Sequence, residues 1–269
     1  LGLLKAATIA SGSSGNCVLV SDGRVHILID AGISARRIIK SIEALGADPA
    51  GVAGVLITHE HTDHIAGLSV LCRQLGADLY TAEPTAERIC ARVPALTPRF
   101  AVFAPGERFR AGPFTVGTFP TSHDCACPVG YTVEHEGRRL ALCTDLGAVT
   151  RPVLSGIEGA GLLIGEFNHD VQMLRAGPYP ARLKERILGS FGHLSNETGG
   201  KLAAWAAQHG TRHVVLAHLS QENNTPALAL AAARSALTSA LGEDAGGVAL
   251  TVAPRSECSG WMEVPECLA

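Results

Sequence analysis

The sequence predicts one α/β domain in four layers (αββα), two β-sheets packed face to face with helices over both outer sides. A strand-rich stretch and a strand–helix stretch of similar size follow one another, with no linker, repeat or low-complexity tract between them. The chain of 269 residues, 46% hydrophobic and 17% charged, is also long and apolar enough to bury one substantial core. Residues 1–269 are therefore read as a single domain.

Strands are expected over 6–10, 17–21 and 25–30, with Asp22-Gly23 as a tight-turn signal between the second and third. After a helix near 34–45, the apolar run Gly54-Val55-Leu56-Ile57 reads as a buried strand ending at Thr58. A helix near 64–75, a strand at 78–81 and a helix near 85–92 follow. The middle of the chain is strand-rich, at 99–103, 114–119, 129–134 and 139–143, the last two joined by the turn Glu136-Gly137. Another apolar run, 161–167, ends just before Asn168-His169-Asp170. Pro178 and Pro180 break up 168–195, which is expected to be an irregular insertion. A helix near 196–209, a strand at 213–217, a helix near 226–241 and a strand at 248–252 complete the chain.

A net charge of −3 excludes a broadly basic nucleic-acid coat but leaves room for a local patch. Arg36, Arg37 and Lys40 form one basic cluster, read as a solvated helix face; Arg175, Arg182, Lys184 and Arg186 form another. The eight cysteines show neither small-scaffold density nor paired zinc spacing, so they read as thiols of a cytoplasmic protein. Cys125-Ala126-Cys127 and Cys267 fall under the same reading. No apolar run reaches membrane-spanning length, so no membrane association is expected. Nothing at the start resembles a signal peptide, and Leu1-Gly2 without Met suggests a trimmed start.

Thr58-His59-Glu60-His61-Thr62-Asp63-His64 packs four metal-ligand side chains between a strand and a helix. The strand end delivers His59 and His61 to one side of a loop. Asp63 and His64 stand at a helix start, where backbone N–H groups favour a carboxylate. Adjacent side chains diverge, so one ion can hardly use all four groups, whereas two ions can. Further ligands are then needed at other strand ends, and His123, Asp145 and His218 each follow one. Imidazole and carboxylate ligands accept zinc, manganese or iron alike.

This pattern resembles the metallo-β-lactamase fold superfamily, whose H-x-H-x-D-H signature is matched by His59, His61, Asp63 and His64, with His123, Asp145 and His218 following in order. The resemblance implies a first ion on His59, His61 and His123. It implies a second on Asp63, His64 and His218, with Asp145 and a nucleophilic hydroxide shared. Gly12-Ser13-Ser14-Gly15-Asn16, Glu166-Phe167-Asn168-His169-Asp170, Gly192-His193-Leu194-Ser195-Asn196-Glu197 and His218-Leu219-Ser220-Gln221-Glu222-Asn223-Asn224 are similar to the bacterial WalJ (YycJ) branch over roughly residues 6 to 235. That branch implies a cytoplasmic 5′-to-3′ DNA exonuclease with a link to DNA mismatch repair, and DNA favoured over RNA. Gly199-Gly200 departs from it and is expected to loosen the following helix. His193 resembles a segment of the tRNase Z nucleases in which a histidine donates a proton, so Asp63 and His193 are the expected catalytic residues. Ser195, Asn196 and Arg182 are the expected substrate contacts, Ser195 being also a natural N-cap. A small-molecule hydrolase, a thioesterase or lactonase, is the alternative, because one metal site serves many chemistries on this fold. The oligomeric state is left open.

Overall fold

The computed structural model describes residues 3–266. Its first half holds β1 (Lys5–Ala10), β2 (Cys17–Ser21), β3 (His26–Ile29), α1 (Ala35–Ala44) and β4 (Val52–Leu56). The helical turn α2 (Thr62–Ile65), then α3 (Leu68–Leu75), β5 (Asp78–Ala82), α4 (Glu83–Arg92) and β6 (Phe100–Phe103) follow. The second half runs through β7 (Arg108–Ala111), β8 (Phe114–Pro120), β9 (Val129–His135), β10 (Arg138–Cys143), α5 (Arg151–Ile157) and β11 (Leu162–Glu166). It continues with α6 (Val171–Ala176), α7 (Ala181–Leu188), α8 (Asn196–Gln208), β12 (His213–Ala217), α9 (Pro226–Leu241) and β13 (Ala249–Val252). A two-residue strand, β14 (Met262–Glu263), returns to pair with β1.

The expected αββα sandwich is what forms. One seven-stranded sheet has the order β14-β1-β2-β3-β4-β5-β6, the other β13-β12-β11-β10-β9-β8-β7. Each changes from antiparallel to parallel pairing part-way: β3 to β6 are parallel in the first, β10 to β13 in the second. Parallel strands covered on both faces read as continuous apolar runs, as Leu162–Glu166 and His213–Ala217 do. The central core lies between the sheets, around Val18, Ile27, Phe114, Tyr131 and Ile164. Separate clusters cover the outer faces, with α1, α3 and α4 on the first sheet and α5, α8 and α9 on the second.

Local rules explain most elements. In α1, Ala35, Ile38 and Ile42 face inward. Arg36 and Lys40 are exposed, as a solvated basic face requires. Thr225 caps α9 by accepting from Leu228 N at 3.2 Å, with Pro226 at its first position. Three expectations are corrected. The insertion 168–195 is not irregular but carries α6 and α7, because Asp170 caps the first at Met173 N (2.8 Å) and the prolines fall between the helices. The helix near 64–75 is interrupted after α2, where Gly67 N turns to donate to Ala31 O at 2.8 Å. Gly199-Gly200 does not loosen α8, which runs through both. A Cβ on Gly199 would lie 2.4 Å from Glu166 O, and one on Gly200 3.0 Å from Ala232 O, so the glycines let the helix dock closely. Of the cysteines, Cys267 lies outside the described residues; the other seven are free thiols.

Candidate metal centre

The chemistry-bearing side chains collect past strand ends on one side of the sandwich, the usual place for a site in parallel sheets. Three of these positions have left-handed backbone: Asp30 after β3 (φ 62°), Asp145 after β10 (φ 58°) and His218 after β12 (φ 59°). That conformation costs about 1–2 kcal/mol in a non-glycine residue, so the surrounding structure must hold it. The loop after β4 is pinned from below: Tyr131 Oη donates to Ile57 O at 2.7 Å and Thr81 Oγ1 to the same oxygen at 2.9 Å.

His59, His61 and His123 each bring one ligand atom to within 4.8 Å of the others. Asp63, His64 and His218 make a second such group, and His59, His64 and Asp145 a third lying across the two. His64 Nε2 is 3.4 Å from both Asp63 Oδ2 and Asp145 Oδ2. His59 Nε2, His218 Nε2 and Asp145 Oδ2 are buried without a hydrogen-bond partner. Buried lone pairs that converge unpaired are costly unless a cation takes them, and imidazole with carboxylate suits a divalent metal. The residues present therefore fit divalent metal.

The other ring nitrogens are spoken for. His64 Nδ1 lies 2.7 Å from Asp30 Oδ2, His218 Nδ1 2.8 Å from Glu166 Oε1, and His123 Nδ1 3.1 Å from Gly192 O. Carboxylates and carbonyls only accept, so each Nδ1 carries the hydrogen and each Nε2 faces the site, that of His64 3.1 Å from Asn16 Nδ2. Thr58 Oγ1 donates to Asp30 Oδ2 at 2.9 Å and stands 3.0 Å from His59 Nδ1, extending the same arrangement. Asn16 Nδ2 reaches Asp63 Oδ2 at 3.3 Å and steadies that carboxylate.

Burial alone would lower His218, but Asp145 beside it and the Asp63 and Glu166 carboxylates raise it to about 10. His64 is likewise raised well above the ordinary histidine value: burial opposes this, and Asp145 and Asp30 outweigh it. Burial pushes Asp145 up, yet His218, His64, His59 and His123 around it bring it well below the usual carboxylate range. His59 goes the other way, lowered by burial and by its histidine neighbours.

His193 lies on the wall of a cleft of about 270 Å³, which Ser13, Tyr179, Leu183, Arg186 and Ile187 also line. Its Nδ1 is 2.9 Å from Glu166 Oε1, so its Nε2 is the free nitrogen. Ser195 is the N-cap of α8, accepting from Thr198 N at 3.2 Å. Two expected substrate contacts are corrected. Asn196 is 4% exposed, and its amide is spent on Asn224 (2.8 Å), leaving nothing for a ligand. Arg182 is exposed on α7 but does not line the cleft; Arg186, about one turn on, does, held to Asp124 at 2.5 Å. Cys125 and Cys127 join no ligand group among the described residues, and burial followed by the nearby Glu60 raises both thiols.

Sequence reasoning missed two buried carboxylates. Glu166, fully buried at the end of β11, accepts from Leu146 N, Leu194 N, His193 and His218. Asp30 accepts from Thr58 N at 2.9 Å as well as from His64. The available signal was an acid closing an otherwise apolar strand, Leu162–Glu166 and the run after His26.

Comparison with known proteins agrees with this geometry. The β-lactamase superfamily domain matches residues 26–219. The chain is 38% identical over 229 residues to exodeoxyribonuclease YycJ of Bacillus anthracis, covering 84% of this chain and 86% of that protein. It is 36% identical over 230 residues to exodeoxyribonuclease WalJ of Streptococcus pneumoniae, covering 84% and 85%. The crystal structure of the metallo-β-lactamase fold protein YhfI from Bacillus subtilis superposes with a TM-score of 0.70 at 18% identity, covering 95% and 98%, a likeness of fold.

Proposed function

Because the chain belongs to the β-lactamase superfamily and to its WalJ/YycJ-like branch, we propose that it is a dinuclear phosphodiesterase, a 5′-to-3′ DNA exonuclease. At the coarser level it is a metal-dependent hydrolase of the metallo-β-lactamase fold. The observation that carries the finer reading is the double ligand set. His59, His61 and His123 are close enough to share one ion, Asp63, His64 and His218 another, and Asp145 lies between them. The named activity of the two relatives supplies the substrate, since both match this chain over most of their length.

Held by His59, His61 and His123 and by Asp63, His64 and His218, two divalent ions, zinc, manganese or iron, would lower the pKa of water and neutralise charge on phosphoryl oxygens. The chain's own residues do the rest. Asp63 and Asp145 place negative charge where both cations are needed. His193 holds a proton on Nε2, turned to the cleft, for the leaving sugar oxygen. Glu166 accepts from its Nδ1 and stabilises the charged imidazole. Arg186 and Tyr179 at the cleft wall meet phosphate and sugar, and Ser13 offers a hydroxyl there, whereas the Ser195 hydroxyl caps α8. The exonuclease reading carries with it a cytoplasmic location and a part in DNA repair. Among the described residues no helix is long and apolar enough to cross a membrane.

The test is purified protein with each metal in turn and single- and double-stranded DNA and RNA labelled at either end. Mononucleotide release from 5′ ends of DNA, weakening as salt rises, is the expected result. Efficient thioester or lactone cleavage with no nuclease activity under any metal would replace this reading by the small-molecule one.

A further inference from the structure

Two residues before His193 the chain carries an aromatic ring that the reaction as described does not use. Phe191 is 61% exposed, and no other Phe, Tyr or Trp among the described residues is in the exposed class. Other aromatics pack inward: Phe103, Phe114, Phe119, Tyr131 and Phe167 are buried, and Tyr80, Phe100, Phe109, Trp205 and Trp261 lie partly buried against the core clusters.

The segment around it is fixed. Gly192 N donates to Gly189 O at 2.9 Å and His193 N to Ile187 O at 3.0 Å, closing the turn that leaves α7. Ser190 O accepts from Ser122 Oγ, and Gly192 O accepts from His123 Nδ1 at 3.1 Å. Phe191 is thus flanked by two residues tied to the His123 loop and lies two residues before His193. Leu188, 43% exposed, extends the apolar surface on the α7 side. Polar and basic groups line the cleft that His193 borders, a floor compatible with phosphate.

Resting on the nuclease reading above, we infer that Phe191 is the stacking platform for the base of the nucleotide whose phosphate enters the cleft. Every nucleobase has an apolar face, so one ring on a rigid rim grips a strand end without regard to sequence. A ring already held in place loses little freedom on binding. The site therefore favours a nucleotide with a base over a bare phosphodiester.

The test compares two single-stranded DNA oligonucleotides of one sequence, one with an ordinary 5′-terminal base and one abasic there. The holoenzyme is expected to have the lower KM for the base-bearing end, by roughly 5- to 150-fold, the worth of one base–aromatic stack. Phe191→Ala should erase that difference, while Phe191→Trp keeps it; the side chain's exposure makes misfolding an unlikely confounder, and circular dichroism checks it. A base preference undiminished in Phe191→Ala overturns the inference, as does a wild type that treats both ends alike. A wild type that cleaves neither oligonucleotide with any metal overturns the nuclease reading itself, and this inference with it.

Discussion

Glu166 holds two imidazoles and three backbone N–H groups at once, with no exposure to water. Burial pushes its carboxyl up, but His193 and His218 bring it down to about 2. It therefore stays charged and fixes which nitrogen of each ring faces the cleft. Replacing it with Gln keeps the shape and removes the charge; a group behind a metal ligand is worth roughly 10- to 100-fold in metal affinity. Glu166→Gln and Asp30→Asn should both weaken metal binding by about that factor in a chelator-competition titration. Unchanged affinity in both would mean that the ligands need no such support. His193→Ala should instead keep its metal and lose roughly 10²- to 10⁴-fold in turnover, the usual worth of a general acid. A nitrophenyl phosphodiester, whose leaving group needs less protonation, should suffer much less. Equal slowing of both substrates at full metal content would make His193 a phosphate-positioning group.

The elements carry these residues with little tolerance. Gly32, between β3 and α1, passes so close to the histidine loop that a Cβ there would lie 1.6 Å from Asp63 O. Gly32→Ala should displace the loop bearing Asp63 and His64, lowering metal affinity more than an exposed Gly246→Ala does, since nothing stands within 4 Å of the latter. Comparable behaviour of the two variants in a metal titration would show that the loop adapts. The seven candidate ligands were legible because four share one short motif after a buried strand and His123, Asp145 and His218 each follow the end of another strand. The two sheets were legible from the apolar runs of the strands. What stayed hidden depends on contacts distant in sequence. Glu166 looks like an ordinary strand terminus until β10 and β12 are seen on either side of it. Asn196 looked available because its burial under Asn224 is a tertiary fact. Helices α6 and α7 were masked by the prolines between them, and α5, β7 and β14 are too short to give a clear periodicity.

For the molecule as a whole, charge in the site links stability to pH and to metal. In metal-stripped protein the raised His218, about 10 when folded against 6.5 ordinarily, stabilises the fold fully below pH 6.5 and loses that contribution as pH climbs to about 10. His64 is raised too and acts in the same direction. His169, lowered to about 4 by burial, acts oppositely: its contribution is present above pH 6.5 and is lost as pH falls toward 4. Stability without metal should therefore peak near neutrality and fall on the alkaline side. Saturating metal, which needs neutral imidazoles, should restore it there. Urea midpoints at pH 6.5 and 9, with chelator and with metal, check this; a chelated protein equally stable at both would contradict it. The measurement that bears most directly on the central claim is the metal content of the reconstituted protein, by elemental analysis, beside its rate on DNA. Two ions per chain are predicted for the wild type, with His61→Ala and His218→Ala each losing metal and activity together. A maximum of one ion, with full DNA cleavage and with His64 and His218 dispensable, would contradict the two-ion account.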